Sequence, residues 1–325
     1  MRRRNFIALL GGAAAWPLAG RAQQTVPVVG FLSGRSPDEA AHLVSAYHQG
    51  LNDVGYSEGQ NVRIEYRWAN GDNDKLTDLA KDLISRQVSV IAATGGSISA
   101  IAAKALTKTI PIVFTSGGDP VAVGLVTSLS RPEGNVTGVS WFNSQLTAKG
   151  LGLLRELIPG AASVAVLVDP HNPEAASQPS DAQAAARALG QKLLILNATT
   201  IAEIDGAFAT LVAQHADALV VAGDPFLTSR RDQIIALAAR YAVPVIAFSR
   251  DWAVAGSLLT YGNTAAASWR KAGVYTGRIL RGARVADLPV ELDSKFELIL
   301  NMKTAKALGI KIPNSLQLLA DEVIE

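Results

Sequence analysis

Val164-Ala165-Val166-Leu167-Val168 repeats, midway along the chain, what Val28-Val29-Gly30-Phe31-Leu32 does near its start. Each is an apolar run without polar alternation, as expected of a strand covered on both faces. After the first run the spacing of Ala41, Val44, Tyr47 and Leu51 predicts a helix over 37–54. Alternation of polar and apolar residues then predicts an edge-like strand over 62–68. The alternation continues with helix 75–85, strand 88–93, helix 97–106, strand 111–114, helix 121–129 and strand 136–141. After 164–168 the pattern starts again: helix 174–189, strand 192–196, helix 204–215, strand 218–222, helix 228–241, strand 243–248 and strand 258–261. Helix 265–280, strand 296–301 and helix 303–308 complete the chain.

Two successive βαβ series in one chain of 325 residues predict an α/β protein of two doubly wound, mostly parallel-sheet lobes joined by a hinge. Ligands of such sheets bind beyond the carboxyl ends of the strands. Two lobes facing each other there form a cleft that a hinge can close over a small molecule.

The residues following the strands are therefore the candidate site. In the first lobe they are Ser33 in Ser33-Gly34-Arg35-Ser36, Thr94 and Gly95 before Ser97, and Ser116 and Asp119 before Pro120. Small hydroxyl residues and glycines at helix N-termini expose backbone N–H groups that suit a carboxylate. Ser97 and Asp119 also read as caps of their own helices. In the second lobe the strand ends carry Asp169, Asp224 and Ser249, and Tyr261 closes the strand 258–261. Acids there could receive an amine or hydroxyls, with Trp141, Phe226 and Trp252 as apolar walls. Together the two sets suit a zwitterion such as an amino acid.

Composition excludes much else. The chain has no cysteine, so disulfides, thiolate zinc sites, iron–sulfur clusters, cysteine nucleophiles and a lipidated anchor are out. Phosphate-loop, nucleophile-elbow and dinucleotide fingerprints are missing. His42, His48, His171 and His215 fall in no metal-ligand spacing. The reading is of a binding protein, not an enzyme, with no cofactor and no metal.

The first residues read as an export signal with cleavage after Ala22. Arg2, Arg3 and Arg4 precede a mildly apolar stretch over 7–18, and Gly20 and Ala22 sit at the small-residue positions. At about 12 residues the stretch is too short to span a ~30 Å hydrocarbon core. Arg3-Arg4-Asn5-Phe6-Ile7 resembles the twin-arginine consensus, so the expected location is the periplasm by that route. The whole chain carries 30 basic and 28 acidic residues; 1–22 holds four of the arginines, leaving 26 against 28, a net −2. No basic stripe remains for nucleic acid, and no later run predicts membrane insertion.

Thr115-Ser116-Gly117-Gly118-Asp119-Pro120-Val121, Gly124-Leu125-Val126-Thr127-Ser128-Leu129 and Arg131-Pro132-Glu133-Gly134-Asn135-Val136-Thr137-Gly138-Val139 resemble a signature block of the ABC transporter substrate-binding proteins, in the branch related to tryptophan/tyrosine-type binding components. Glu133 stands where that pattern more usually has glycine. The likeness continues in Glu58-Gly59-Gln60-Asn61-Val62, Asn172-Pro173-Glu174-Ala175 and Asn301-Met302-Lys303-Thr304-Ala305, covering essentially all of the chain after the signal. The resemblance implies a periplasmic-binding fold of the first type with three hinge crossings. It implies lobes of 26–142 plus about 262–291, and of 143–261 plus about 292–325. It implies a membrane permease with a cytoplasmic ATPase as partners, and a small organic solute, with an amino acid of aromatic type as the class to test. A ligand-sensing receptor for a membrane kinase or chemoreceptor uses the same fold and is the alternative.

Overall fold

Where the sequence runs apolar on both faces, the strands lie in the middle of sheets. The computed structural model describes residues 26–141, 143–176, 178–293 and 295–325; the export-signal reading of 1–22 falls outside them. Strands β1 (Val28–Ser33), β2 (Arg63–Trp68), β3 (Val90–Thr94), β4 (Ile112–Ser116) and β5 (Val136–Ser140) alternate with helices α1 (Pro37–Asp53), α2 (Leu76–Ser85) and α3 (Ser97–Leu106). Helix α4 (Asn143–Leu157) leads into β6 (Ser163–Val168), α5 (Gln178–Ala188), β7 (Lys192–Asn197), α6 (Ile201–Ala213) and β8 (Ala218–Val221). Then come α7 (Pro225–Ser229), α8 (Arg231–Arg240), β9 (Val245–Ala247), α9 (Arg250–Ala255), β10 (Leu259–Asn263) and α10 (Ala265–Leu280). The chain ends with β11 (Glu291–Leu292), β12 (Phe296–Asn301), α11 (Met302–Ala307), α12 (Asn314–Leu319) and β13 (Glu322–Ile324).

The strands form two sheets. The first has the order β11-β5-β4-β3-β1-β2 and the second β13-β12-β10-β9-β8-β6-β7. All described pairings are parallel except β10 with β12. Among the described residues the chain passes between the sheets after β5, after β10 and after β11, so α10 packs on α1 although β10 belongs to the second sheet. In each sheet the strand order reverses at one place, between β1 and β3 and between β6 and β8. Such a switch point leaves a crevice beyond the carboxyl ends.

Each sheet is covered on both faces. Phe31, Tyr47 and Trp269 form one core of the first lobe and Leu83, Ile91 and Phe114 the other. Leu154, Val166 and Leu300 mark one core of the second lobe and Leu167, Phe208 and Trp252 the other.

Two local readings are corrected. The helix expected over 121–129 is a series of turns. The Asp119 carboxylate caps one turn through Val121 N (2.8 Å) and Ala122 N (3.2 Å), and Gly124 then takes φ +73°, which ends any helix. The helix expected over 228–241 is split into α7 and α8 at Arg230, whose φ and ψ of −107° and 12° leave the helical range.

Helix α1 starts where the sequence says it must. Ser36 accepts from Glu39 N (3.4 Å), Glu39 Oε2 accepts from Ser36 N (3.3 Å), and Pro37 follows at the first helical position. Ser36→Ala is expected to lower stability by about 1 kcal/mol; urea denaturation measures it, and an unchanged midpoint would contradict the cap.

Candidate functional site

The two switch points face each other, and the residues beyond them line one cleft. From the first sheet come Arg35 after β1, Gly95 and Gly96 after β3, Gly117 after β4 and Trp141 after β5. From the second come Glu174 after β6, Asp224 after β8, Ser249 after β9 and Trp252 on α9. Asn263 and Trp269 line it where the chain crosses between lobes. The space between them is about 70 Å³, against ~300–1,000 Å³ for sites that bury organic ligands, and Ser97 and Ser116 of the first lobe hydrogen-bond Glu174 of the second across it, so the lobes stand closed on one another. A wider groove of about 520 Å³, bordered by α1 and α9, adjoins it and shares Ser249, Asn263 and Ala265. The groove is larger, but among the described residues tryptophan, phenylalanine and tyrosine are absent from its lining; the cleft holds both switch points and the aromatic walls.

The residues singled out from sequence divide between cleft, support and elsewhere. Gly95, Asp224 and Ser249 line the cleft. Gly95 has φ +81°, and a side chain there would come within 2.8 Å of Ser33 Oγ. Ser33, Thr94 and Ser116 are fully buried at the strand ends behind that wall. Ser33 Oγ accepts from Arg35 N (3.3 Å) and so shapes the turn that presents Arg35. Thr94 Oγ1 is buried with no hydrogen-bond partner among the described residues.

Asp119, Asp169 and Tyr261 stand outside the cleft lining. Asp119 is exposed and serves its own turn. Asp169 accepts from His171 N (2.8 Å) and lines a separate depression with Asn70, Thr199 and Phe226. Tyr261 is stacked on Phe296, with ring centroids 5.8 Å apart, against the second lobe's core. Of the expected aromatic walls, Trp141 and Trp252 are in place; Phe248 and Trp269 stand where Phe226 was expected.

Two charged residues of the cleft were not singled out. Arg35 lies within the first turn beyond β1, and its Nε is buried with no hydrogen-bond partner among the described residues. Burial lowers its pKa, while Asp251 and Glu39 raise it in part. A guanidinium starts so high that it stays charged. Its position in a tight turn directly after a buried strand was the available signal. Glu174, only 7% exposed, belongs to the turn after β6 and reaches across to the first lobe. Its Oε1 accepts from Ser97 N (3.0 Å), Ser116 Oγ (3.0 Å) and Ser97 Oγ. No local pattern marks it, because the partners come from the other lobe.

Asp224 caps α7 through Leu227 N (2.8 Å) and accepts from Asn172 Nδ2 (2.9 Å). Burial pushes its carboxyl up to about 7, with nearby Asp169 and Glu174 adding to the rise and the Leu227 and Asn172 bonds opposing it. Asp169 is also raised, chiefly by burial. Among the described residues, no group of three or more histidine, cysteine or acidic side chains could hold a metal ion. The cleft thus presents one guanidinium, two buried acids and several indole and phenyl faces.

Comparisons with known proteins agree with the fold. A family model described as ABC transporter substrate binding protein matches residues 25–324. A curated protein of Clostridioides difficile (strain R20291), named tyrosine-binding protein, is 31% identical over 261 residues, covering 80% of this chain and 74% of that protein. A conserved domain protein from Vibrio cholerae superposes with a TM-score of 0.86 at 26% identity, over 92% of this chain and 99% of that one. An ABC domain from Streptococcus pneumoniae in complex with L-Trp superposes with a TM-score of 0.85 at 24% identity, over the same shares.

Proposed function

The chain belongs to the ABC transporter substrate-binding protein family, and on that premise we propose that it is the extracytoplasmic solute-binding component of an ABC importer whose solute is an amino acid with an aromatic side chain. The family binds solutes and is not one of enzymes. One observation carries the choice of solute: the same closed cleft contains Arg35, Asp224 and Glu174 together with Trp141, Phe248 and Trp252. A zwitterion with an apolar ring matches that set. Its carboxylate would pair with the Arg35 guanidinium in the bidentate manner such groups favour. Its ammonium would face Asp224, and its ring would stack between indole faces. The tyrosine-binding relative and the L-Trp complex are consistent with that class.

Capture follows from the crossings. Rotation about the three connecting segments opens the cleft to water, and closure buries the ligand between walls that are each complete in one lobe. A membrane permease served by a cytoplasmic ATPase can then read the closed arrangement, since only that arrangement presents both lobes in fixed relation. Export ahead of this step is the role of the arginine-led segment 1–22, by the twin-arginine route. No helix of the described residues is long and apolar enough to cross a membrane.

Purified 23–325 protein, titrated with L-tryptophan, L-tyrosine, L-phenylalanine, L-leucine and L-lysine, tests the reading. An aromatic amino acid at 100 times its dissociation constant is expected to add about 2.7 kcal/mol of stability, with the aliphatic and basic ones weaker. Absence of a thermal shift with every aromatic amino acid would remove this solute class.

A further inference from the structure

The N-terminus of α3 and the end of β4 form the donor-rich niche that the sequence marks out for a ligand's carboxylate. In the folded chain its own second lobe fills that niche. Three first-lobe donors, Ser97 N, Ser97 Oγ and Ser116 Oγ, converge on Glu174 Oε1. Ser116 Oγ is itself fixed by accepting from Gly118 N (3.1 Å). The backbone makes room for the intruding side chain: a Cβ on Gly118 would lie 2.8 Å from Glu174 Cδ. On the second-lobe side, Glu174 N donates to Asn172 Oδ1 (2.9 Å), and Asn172 Nδ2 donates to Asp224 Oδ2 (2.9 Å). Hydrogen bonds from these donors take the place of the water that a buried carboxyl group gives up. No hydrogen bond reaches Glu174 Oε2 among the described residues, and the residue lines the cleft.

We propose that Glu174 is a specificity-determining residue: it occupies the first lobe's anion niche with the chain's own carboxylate and reserves that wall for a ligand's cationic or donor group. The inference rests on the cleft being the ligand site. A ligand carboxylate set against this wall would meet Glu174 with its donors already spent and Asp224 close behind. Like charges so placed are strongly discriminated against. The ligand's acid is left to Arg35, so the bound solute has one polarity in the cleft.

The test compares wild type, Glu174→Gln and Glu174→Ala, all as the 23–325 chain. Sodium acetate against sodium chloride at equal ionic strength probes the niche without any knowledge of the solute. Acetate is expected to stabilise Glu174→Ala saturably, raising Tm by about 2 °C or more at ten times its dissociation constant. It should leave wild type and Glu174→Gln unmoved, since a side chain already fills the niche in both. Calorimetric titration with L-tryptophan and with indole-3-propionate, which lacks the amine, reads the ligand side. The affinity of indole-3-propionate relative to tryptophan is expected to rise roughly tenfold or more in Glu174→Ala.

Acetate acting on all three proteins alike, or on none, overturns the proposal, as does an unchanged affinity ratio. If wild type binds neither indole compound, the aromatic solute class fails, while the acetate result still decides the role of Glu174. Should Glu174→Ala not fold, Glu174→Asp withdraws the carboxylate by one methylene. It is expected to change acetate response and ratio in the same direction, and no change in either counts against the proposal.

Discussion

Gly50→Ala is expected to destabilise the protein by about 2 kcal/mol or more, although alanine is the better helix former. In an exposed helix the exchange gains up to about 1 kcal/mol. Gly50 lies on α1 where α10 crosses it, and a Cβ there would intrude on the Arg270 carbonyl group and stand 3.0 Å from Val274 N. The constraint is reciprocal: a Cβ on Gly273 of α10 would intrude on the Tyr47 carbonyl and stand 2.9 Å from Leu51 N. Those neighbours are backbone, so no rotamer change relieves the clash and one helix must shift. Overpacking ordinarily costs about 1–3 kcal/mol, and here the shift would drag Trp269 and Tyr275 out of the core around Phe31. Gly206, exposed in α6 with nothing within 4 Å of its would-be Cβ, supplies the control. Urea denaturation of Gly206→Ala should show a neutral or stabilising effect of up to about 1 kcal/mol, opposite in sign to Gly50→Ala. Equal effects at both positions would mean that α1 and α10 do not pack this closely.

This helix pair also shows what a sequence conceals. The buried strands are legible because burial on both faces leaves no room for polar alternation, so β1, β3, β6 and β8 can be read as apolar runs. Right-handed crossovers make each sheet mostly parallel, whereas the strand order, and with it the position of the switch points, is seen only in the folded chain. Reading 121–129 as a helix failed because apolar spacing there coexists with Gly124 and with an Asp119 cap that closes only one turn. Helix α4 went unread because Gly150 and Gly152 dilute its pattern. In the cleft, strand-end residues were visible one lobe at a time. Glu174 meets Ser97 and Ser116 only when the lobes dock, and no local spacing encodes a contact between segments so far apart. Tyr261 misled for a related reason. Read as the end of a strand, it lies inside β10, which runs on to Asn263 and pairs antiparallel with β12; that places Phe296 beside it and makes it part of the lobe's packing.

Between pH 5 and pH 8 the ligand-free protein is expected to lose stability while it gains affinity for an ammonium-bearing solute, and Asp224 drives both changes. Its folded-state pKa of about 7 stands above the ordinary 3.8, so over that window the folded chain holds a proton that the unfolded chain has released. Stability therefore falls as pH rises, by as much as ~1.4 kcal/mol per unit and on the order of 2–4 kcal/mol in total, and levels off above about pH 7. Asp169, raised by the same burial, contributes with the same sign. An ammonium facing Asp224 favours the carboxylate, so binding below pH 7 must expel the proton, and affinity drops by up to about tenfold per unit of acidification. Asp224→Asn keeps an acceptor for Leu227 N but neither titrates nor attracts a cation. Tryptophan affinity should fall roughly a hundredfold at pH 8 and lose its pH dependence. Asp169→Asn separates the two acids: it should flatten part of the stability profile and, by removing a charge that raises Asp224, move the affinity profile toward lower pH without abolishing its pH dependence. Calorimetry from pH 5.5 to 8.5 in paired buffers of unlike ionisation enthalpy counts the protons released, and urea melts give the stability slopes. Proton release that persists in Asp224→Asn would assign the titration to another group and detach the ammonium from this carboxylate.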